Sequence, residues 1–105
     1  MYYLMLWGKK MASVDKDGCL DKVEVPIEMA NLLFDLDAKE FPILSSLSFD
    51  DYDMFSGSQL DSLADELLTA ARLNPQVSKL VNPMLGLIYE AKSSMKDVLF
   101  NPFGR

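Results

Sequence analysis

The chain has 105 residues, with ten Lys and Arg, sixteen Asp and Glu, no His and one Cys. This length predicts a single domain spanning residues 1–105, and a half-apolar composition is sufficient to bury a core. The net charge of −6 argues against non-specific binding to nucleic acid or anionic membranes. Without His, the sequence excludes Ser-His-Asp and Cys-His nucleophiles and every His-containing metal site.

The cysteine content and the N-terminal sequence indicate in which compartment of the cell the protein is expected. A single Cys excludes an intrachain disulfide and a Cys-rich zinc site, so Cys19 is expected to act as a small hydrophobic residue. No stretch approaches the roughly 20 apolar residues of a membrane span. The first apolar run is short and precedes its lysines, the reverse of the order in a secretory signal. We therefore expect a cytoplasmic protein in a reducing compartment.

Two strand-like runs near the N-terminus predict a β-hairpin. Residues 2–7 form a continuous apolar run, and residues 19–25 form a second run with apolar positions. Asp17-Gly18 lies between them and is typical of a tight hairpin turn, because both turn residues must tolerate positive φ. The alternative is a calcium loop over residues 15–18, but this stretch lacks the first Asp and the downstream Glu of that motif.

The next elements are a short helix and a longer, clearer one. Pro26 ends the second strand, and the apolar spacing after it predicts a helix over residues 27–34. Residues 59–73 carry an apolar stripe with helical spacing, and Ser58 is the expected N-cap. This stripe consists of Leu60, Leu63, Ala64, Leu67, Leu68 and Ala71.

A last helical stripe begins at Val77 and continues to about residue 97. The stripe keeps its phase across Pro83, which predicts one helix kinked there. The short connection at Asn74-Pro75 predicts that the last two helices pack antiparallel. The whole chain therefore predicts an α+β fold, in which an N-terminal β-hairpin or small antiparallel sheet packs against a short helix and two antiparallel C-terminal helices.

In two segments the apolar residues do not recur with the spacing of a helix or a strand. Residues 35–57 predict a long irregular connection, which is often functional. Its expected anchors to the core are Phe41, Ile43, Leu44 and Leu47. Residues 98–105 predict a short closing segment, whose expected docking residues are Val98, Leu99, Phe100 and Phe103.

The negative charge is concentrated in the middle of the chain. Residues 1–34 carry −1, residues 35–71 carry −8 and residues 72–105 carry +3. Between residues 49 and 55 the acids alternate with aromatic and Met side chains, a composition that suits an interface with a basic partner. The candidate partner-binding residues are Asp50, Asp51, Tyr52, Asp53, Phe55, Asp35, Asp37 and Glu40.

Other interpretations of these residues stay open. The acids are also consistent with a solvated face that keeps a small protein soluble, and Tyr52 and Phe55 with anchors that pin the loop to the core. Oxygen ligands suit Mg²⁺ or Ca²⁺, and paired carboxylates can hydrolyse glycosides. The sequence shows no phosphate loop or other catalytic motif beside them. We therefore expect no enzyme activity, no cofactor and no metal.

A succession of short motifs runs through the chain: Phe34-Asp35, Phe41-Pro42-x-Leu44, an acidic segment ending at Phe55, Gln59, Leu63-x-x-Glu66-Leu67 and Leu99-Phe100-x-Pro102-Phe103-Gly104. In this order and spacing they resemble a group of small bacterial proteins associated with polymorphic and contact-dependent growth-inhibition toxins. The resemblance covers residues 34–67 and 98–104. Many members of the group have Phe-Asn before the Gln, where this chain has Phe55-Ser56.

The resemblance implies an immunity protein, a small cytosolic inhibitor that neutralises one toxin domain by binding it stoichiometrically. Many such toxins are nucleases, and a nuclease that holds phosphates presents a basic cleft that an acidic inhibitor complements. The expected partner is therefore the basic C-terminal domain of a cognate nuclease toxin. The alternative function is a non-toxin acidic binding module, such as a regulatory adaptor or a nucleic-acid mimic. The resemblance assigns a role to no individual residue.

Overall fold

The computed structural model describes residues 2–8, 19–48 and 50–103. The strands in these ranges are β1 (Tyr2–Trp7), β2 (Cys19–Val25), β3 (Asp53–Phe55) and β4 (Asp97–Asn101). The α-helices are α1 (Ile27–Phe34), α2 (Ser58–Leu73) and α3 (Ser78–Ser93). Single turns of 3₁₀ helix occupy Leu44–Ser46 and Pro75–Val77. This is the α+β fold that the sequence predicts.

The four strands form one antiparallel sheet in the order β2-β1-β4-β3. β1 and β2 pair as the hairpin prediction requires, with Leu4 opposite Val23. The predicted turn at Asp17-Gly18 lies outside the described residues. β4 inserts between β1 and β3, with Leu4 opposite Phe100, so the sheet joins the N-terminal and C-terminal parts of the chain.

Alternation along the strands gives the sheet two different faces. Leu4 of β1 and Phe100 of β4 point to the face on which the helices pack, and both belong to the main core. Met5, Trp7 and Leu99 form a smaller cluster on the opposite face. Trp7 is fully buried, and its indole Nε1–H has no hydrogen-bond partner among the residues described.

The predicted stripe of α2 is confirmed for most of its members. The buried residues of the helix are Leu60, Leu63, Ala64, Leu67 and Ala70. Leu68 corrects the prediction, because it is 47% exposed. The first turn of α2 lies beside the last turn of α3, where the Lys92 ammonium pairs with the Asp61 carboxylate. This contact and the short connection at the other end of the two helices confirm that they pack antiparallel.

The N-cap of α2 is Gly57, one residue before the predicted Ser58. Ser58 is the first helical residue, and no side-chain hydrogen bond caps the helix. Gly57 has φ +57° and ψ −130°, a conformation open mainly to glycine. The side chain of Gln59 instead accepts a hydrogen bond from the Ser56 backbone N–H at 3.1 Å. Backbone conformation therefore sets this helix start, where the sequence suggested a capping side chain.

The helix over the last stripe is continuous through Pro83, as predicted, but ends earlier than residue 97. The N–H of Lys96 donates to the Ala91 carbonyl and the N–H of Met95 donates to the Lys92 carbonyl. These two bonds form a Schellman motif, with Met95 in the left-handed region at φ +57°. Met95 is almost fully exposed and does not belong to the buried face of the helix. Because it is apolar and fits the helical spacing, the stripe predicts a helix that is longer than the one observed.

Two strands lie in segments where none was predicted. β3 lies within residues 35–57, which were expected to be irregular, and all of β4 except Asp97 lies within the expected closing segment 98–105. β3 has three residues, which is too short for a period to show. β4 is buried on both faces because it is a central strand, so its apolar run does not alternate with polar residues.

Substitutions at two glycines, one at the start of α2 and one inside α3, test where α2 begins. We expect Gly57→Ala to destabilise the protein by about 1–2 kcal/mol, because the added methyl group meets no atom but disfavours positive φ. Gly86→Ala, inside α3 and equally free of clashes, should stabilise it by about 0.5–1 kcal/mol. Urea unfolding measures both. Equal effects of the two changes would contradict the assigned start of α2.

Candidate functional site

The carboxylate of Glu66 fastens the chain to α2 just before residues 50–53, which are called the acidic loop below. Glu66 accepts the Ile43 N–H through both oxygens at 3.1 Å and the Leu44 N–H through Oε1 at 2.9 Å. These N–H groups begin the 3₁₀ turn, so the carboxylate satisfies donors that lack a partner within that turn. Phe41, Leu44 and Leu47 are buried as predicted, and Ile43 is half-buried.

The acidic loop is closed by its own side chains. The Asp53 carboxylate accepts the Ser48 N–H at 2.8 Å, and the Asp51 carboxylate accepts the Tyr52 N–H at 2.8 Å. Asp53 is half-buried, whereas Asp50 and Asp51 are exposed. Of the three loop acids, Asp50 and Asp51 are therefore the ones available to a partner.

Tyr52 contacts an aromatic ring from the C-terminal part of the chain. Its ring centroid lies 5.1 Å from that of Phe103, with the planes at 66°, and the two residues are 36% and 49% exposed. The Phe103 N–H donates to Oδ1 of Asn101 at 2.8 Å, and Asn101 is buried at the end of β4. Phe103 thus corrects the prediction that it docks the chain end in the core.

The exposed residues Asp50, Asp51, Tyr52 and Phe103 are called the acidic–aromatic surface below. The first three were candidates from the sequence, and Phe103 was missed. No sequence signal placed Phe103 here, because the contact depends on β3 pairing beside β4. Two exposed rings and two exposed carboxylates offer apolar contact area and negative charge, which are suited to binding a partner.

The remaining candidates are not members of the acidic–aromatic surface. Phe55 is 8% exposed and belongs to the main core, so its side chain is not available to a partner. This corrects the prediction that Phe55 is a partner-binding residue. Its position on β3 directs it to the helix face of the sheet. Asp35, Asp37 and Glu40 are exposed on the segment after α1, where the Asp37 carboxylate accepts the Lys39 N–H at 3.0 Å. In the chain they precede the segment that Glu66 holds on α2.

Internal contacts use part of the negative charge of residues 35–71. Asp53 and Glu66 accept backbone hydrogen bonds, and Asp61 pairs with Lys92. The hydrogen bond that the Lys92 ammonium donates to Asp61, followed by the negative charge of Asp61, raises the pKa of Lys92 above its ordinary value. The acids of this region whose side chains are exposed outside that pair are Asp35, Asp37, Glu40, Asp50, Asp51 and Asp65.

Most motif positions of the resemblance have structural roles. Phe41, Leu63 and Leu67 are buried, and Glu66 fastens the segment that contains Leu44. The rings of Phe34, Tyr2 and Phe100 pack together where α1 meets the sheet. The motifs therefore describe how the helices and the loop are held on the sheet. The exposed Phe103 is an exception.

Within the described ranges, no group of three or more His, Cys, Asp or Glu side chains is placed to hold a metal ion. The same ranges contain no helix long and apolar enough to span a membrane. Comparison with known proteins finds no family model, no curated protein and no solved structure that matches this chain.

Proposed function

We propose that this protein is an immunity protein of a contact-dependent growth-inhibition system, acting in the bacterial cytoplasm. It binds the C-terminal domain of a cognate nuclease toxin one to one and neutralises it. The observation that carries the proposal is the acidic–aromatic surface, where the exposed Asp50 and Asp51 directly precede Tyr52, whose ring contacts that of Phe103. The support has three parts: charge, anchoring side chains and the motif resemblance.

Charge favours a basic partner. Residues 35–71 carry −8, and the acids in this region that face solvent include both carboxylates of the acidic–aromatic surface. A nuclease must hold phosphates, so its active cleft is basic, and a surface of opposite charge accelerates the encounter and selects against acidic partners. The toxin is thus expected to present basic side chains to Asp50 and Asp51.

The rings supply anchors of the kind that dominate binding energy. Aromatic side chains lose little conformational freedom on binding and bury a large area, so a few of them provide much of an interface's affinity. Tyr52 and Phe103 are already ordered against each other and held by hydrogen bonds on their backbones. An interface built on them has a small ordering cost.

The motif resemblance supports the same function. Its positions coincide with the contacts that join the loop, the helices and the sheet, among them Glu66 and the buried Leu63 and Leu67. A shared pattern at such positions indicates a shared scaffold, on which different members can carry different binding surfaces. The acidic–aromatic surface is then the part of this scaffold that suits one particular toxin.

Co-expression with the candidate toxin domain tests the proposal. We expect a one-to-one complex whose association slows as salt rises. Neutralising Asp50 and Asp51 together to Asn should slow association by about tenfold at low salt and flatten the salt dependence, because these charges attract the basic partner.

The matched control neutralises Asp65 and Glu90 to Asn and Gln, which changes the net charge equally at exposed sites on α2 and α3. We expect a much smaller loss of rate in this control. The proposal is contradicted if both double variants associate equally fast, or if no one-to-one complex forms with a toxin domain encoded beside this protein.

A further inference from the structure

Tyr52 and Phe103 are exposed although they contact each other. The two rings come from distant parts of the chain and meet edge to face at 5.1 Å, yet a third to a half of each remains open to solvent. Neither belongs to the main core or to the smaller cluster around Trp7. Their pairing therefore contributes little to the core and leaves aromatic surface available to a ligand.

Polar side chains hold both rings in place from their backbones. Asn101 is buried and accepts the Phe103 N–H at 2.8 Å, which fixes the turn after β4. Asp51 accepts the Tyr52 N–H at 2.8 Å, and Asp53 closes the loop through the Ser48 N–H at 2.8 Å. The ring pair is therefore pre-organised, so little conformational freedom is lost when something binds to it.

The groups around the ring pair favour a positively charged ligand. Aromatic faces attract positive charge through their quadrupole, and the exposed carboxylates of Asp50 and Asp51 lie in the residues directly before Tyr52. We infer that the Tyr52–Phe103 pair is a receptor for an arginine side chain of the protein partner, with Asp50 and Asp51 as carboxylate acceptors. This deepens the proposed function and depends on it only for the identity of the partner.

Arginine fits these groups better than lysine does. Its planar guanidinium stacks on aromatic rings and presents paired N–H donors to a carboxylate, whereas the lysine ammonium is a compact and strongly hydrated point charge. Carboxylates alone attract both cations mainly through charge, so we expect most of the preference for arginine to come from stacking on the two rings. The exposed rings therefore make the difference between the two measurable.

The test uses the full chain and two peptides of equal charge, hexa-arginine and hexa-lysine. Aromatic and amide NMR spectra are recorded during each titration. We expect the ring signals of Tyr52 and Phe103 to shift, and hexa-arginine to bind about fivefold more tightly than hexa-lysine. Phe103→Leu and Tyr52→Leu should reduce the ratio of the two affinities to nearly one.

Tyr89→Leu is the matched control, because Tyr89 is a half-exposed tyrosine on α3 outside the acidic–aromatic surface. It should keep the preference for arginine, and Phe103→Tyr should keep it as well. Equal affinities of the parent protein for the two peptides would overturn the inference. So would ring shifts centred on Tyr89, or a preference for arginine that survives both changes to Leu.

The same variants separate this inference from the proposed function. A toxin complex that forms normally with Phe103→Leu, together with equal peptide affinities in the parent protein, would overturn the arginine receptor and leave the immunity function standing. If the protein preferred hexa-arginine through Tyr52 and Phe103 but formed no toxin complex, the immunity function would be overturned. The receptor would then be supported, and its partner would be a different basic protein.

Discussion

Replacing Leu67 by Ala should lower the free energy of unfolding by about 2–5 kcal/mol. Leu67 is 0% exposed and lies at the centre of the buried stripe of α2. Its neighbours in the core come from the sheet and the other helices, so truncation leaves a cavity that they cannot easily fill. Chemical denaturation followed by circular dichroism gives the change directly.

The adjacent Leu68 provides a matched control for this experiment. It has the same side chain in the same helix but is 47% exposed, so Leu68→Ala should change stability by less than about 1 kcal/mol. Similar losses from the two changes would mean that the orientation of α2 on the sheet is wrong. The comparison removes helix propensity as an explanation, since both substitutions are from Leu to Ala.

Replacing Glu66 by Ala should destabilise the protein by about 2–3 kcal/mol. The change leaves the Ile43 and Leu44 N–H groups without the carboxylate that accepts them at 2.9–3.1 Å. We also expect the amide hydrogens of Ile43 and Leu44 to exchange faster, because the 3₁₀ turn is no longer held on α2.

Asp65→Ala is the control for Glu66, since Asp65 is the preceding residue of α2 and is exposed. It should leave the exchange of the Ile43 and Leu44 amides unchanged. If Glu66→Ala had no effect on that exchange, the carboxylate would not be the anchor of the segment. The stability change alone would then reflect only the loss of a half-buried side chain.

The sequence was sufficient to predict the elements with a strong period or a strong local signal. α1 begins after Pro26 as expected, and α2 shows a clear stripe because its residues from Leu60 to Ala70 bury one face. β1 and β2 were identified as strand-like runs and are neighbours in the sheet. In each case the local preference of the chain agrees with its tertiary environment.

The parts that could not be predicted depend on contacts between distant residues. β3 and β4 become strands because they pair with each other and because β4 also pairs with β1. The end of α3 depends on a left-handed Met95, where glycine is the usual signal. A pattern of apolar residues contains no information about either feature.

Only part of the candidate site could be predicted, because the rest of it also depends on contacts between distant residues. Asp50, Asp51 and Tyr52, which the sequence offered as partner-binding candidates, are exposed. Phe55 was assigned to the interface because it lies next to these residues in sequence, but alternation along β3 turns it into the core. Phe103 was assigned to the core because it is apolar, but the turn set by Asn101 places it beside Tyr52.

The most direct test of the account is a hydrogen-exchange footprint of the protein alone and in complex with the toxin domain. On complex formation we expect slower exchange of the backbone amides of residues 50–53, Asn101 and Phe103, which belong to or adjoin the acidic–aromatic surface. The amides at the Glu66 anchor and along the solvent face of α3 near Tyr89 should be unchanged. Protection confined to α3, with none at Tyr52 or Phe103, would contradict the account.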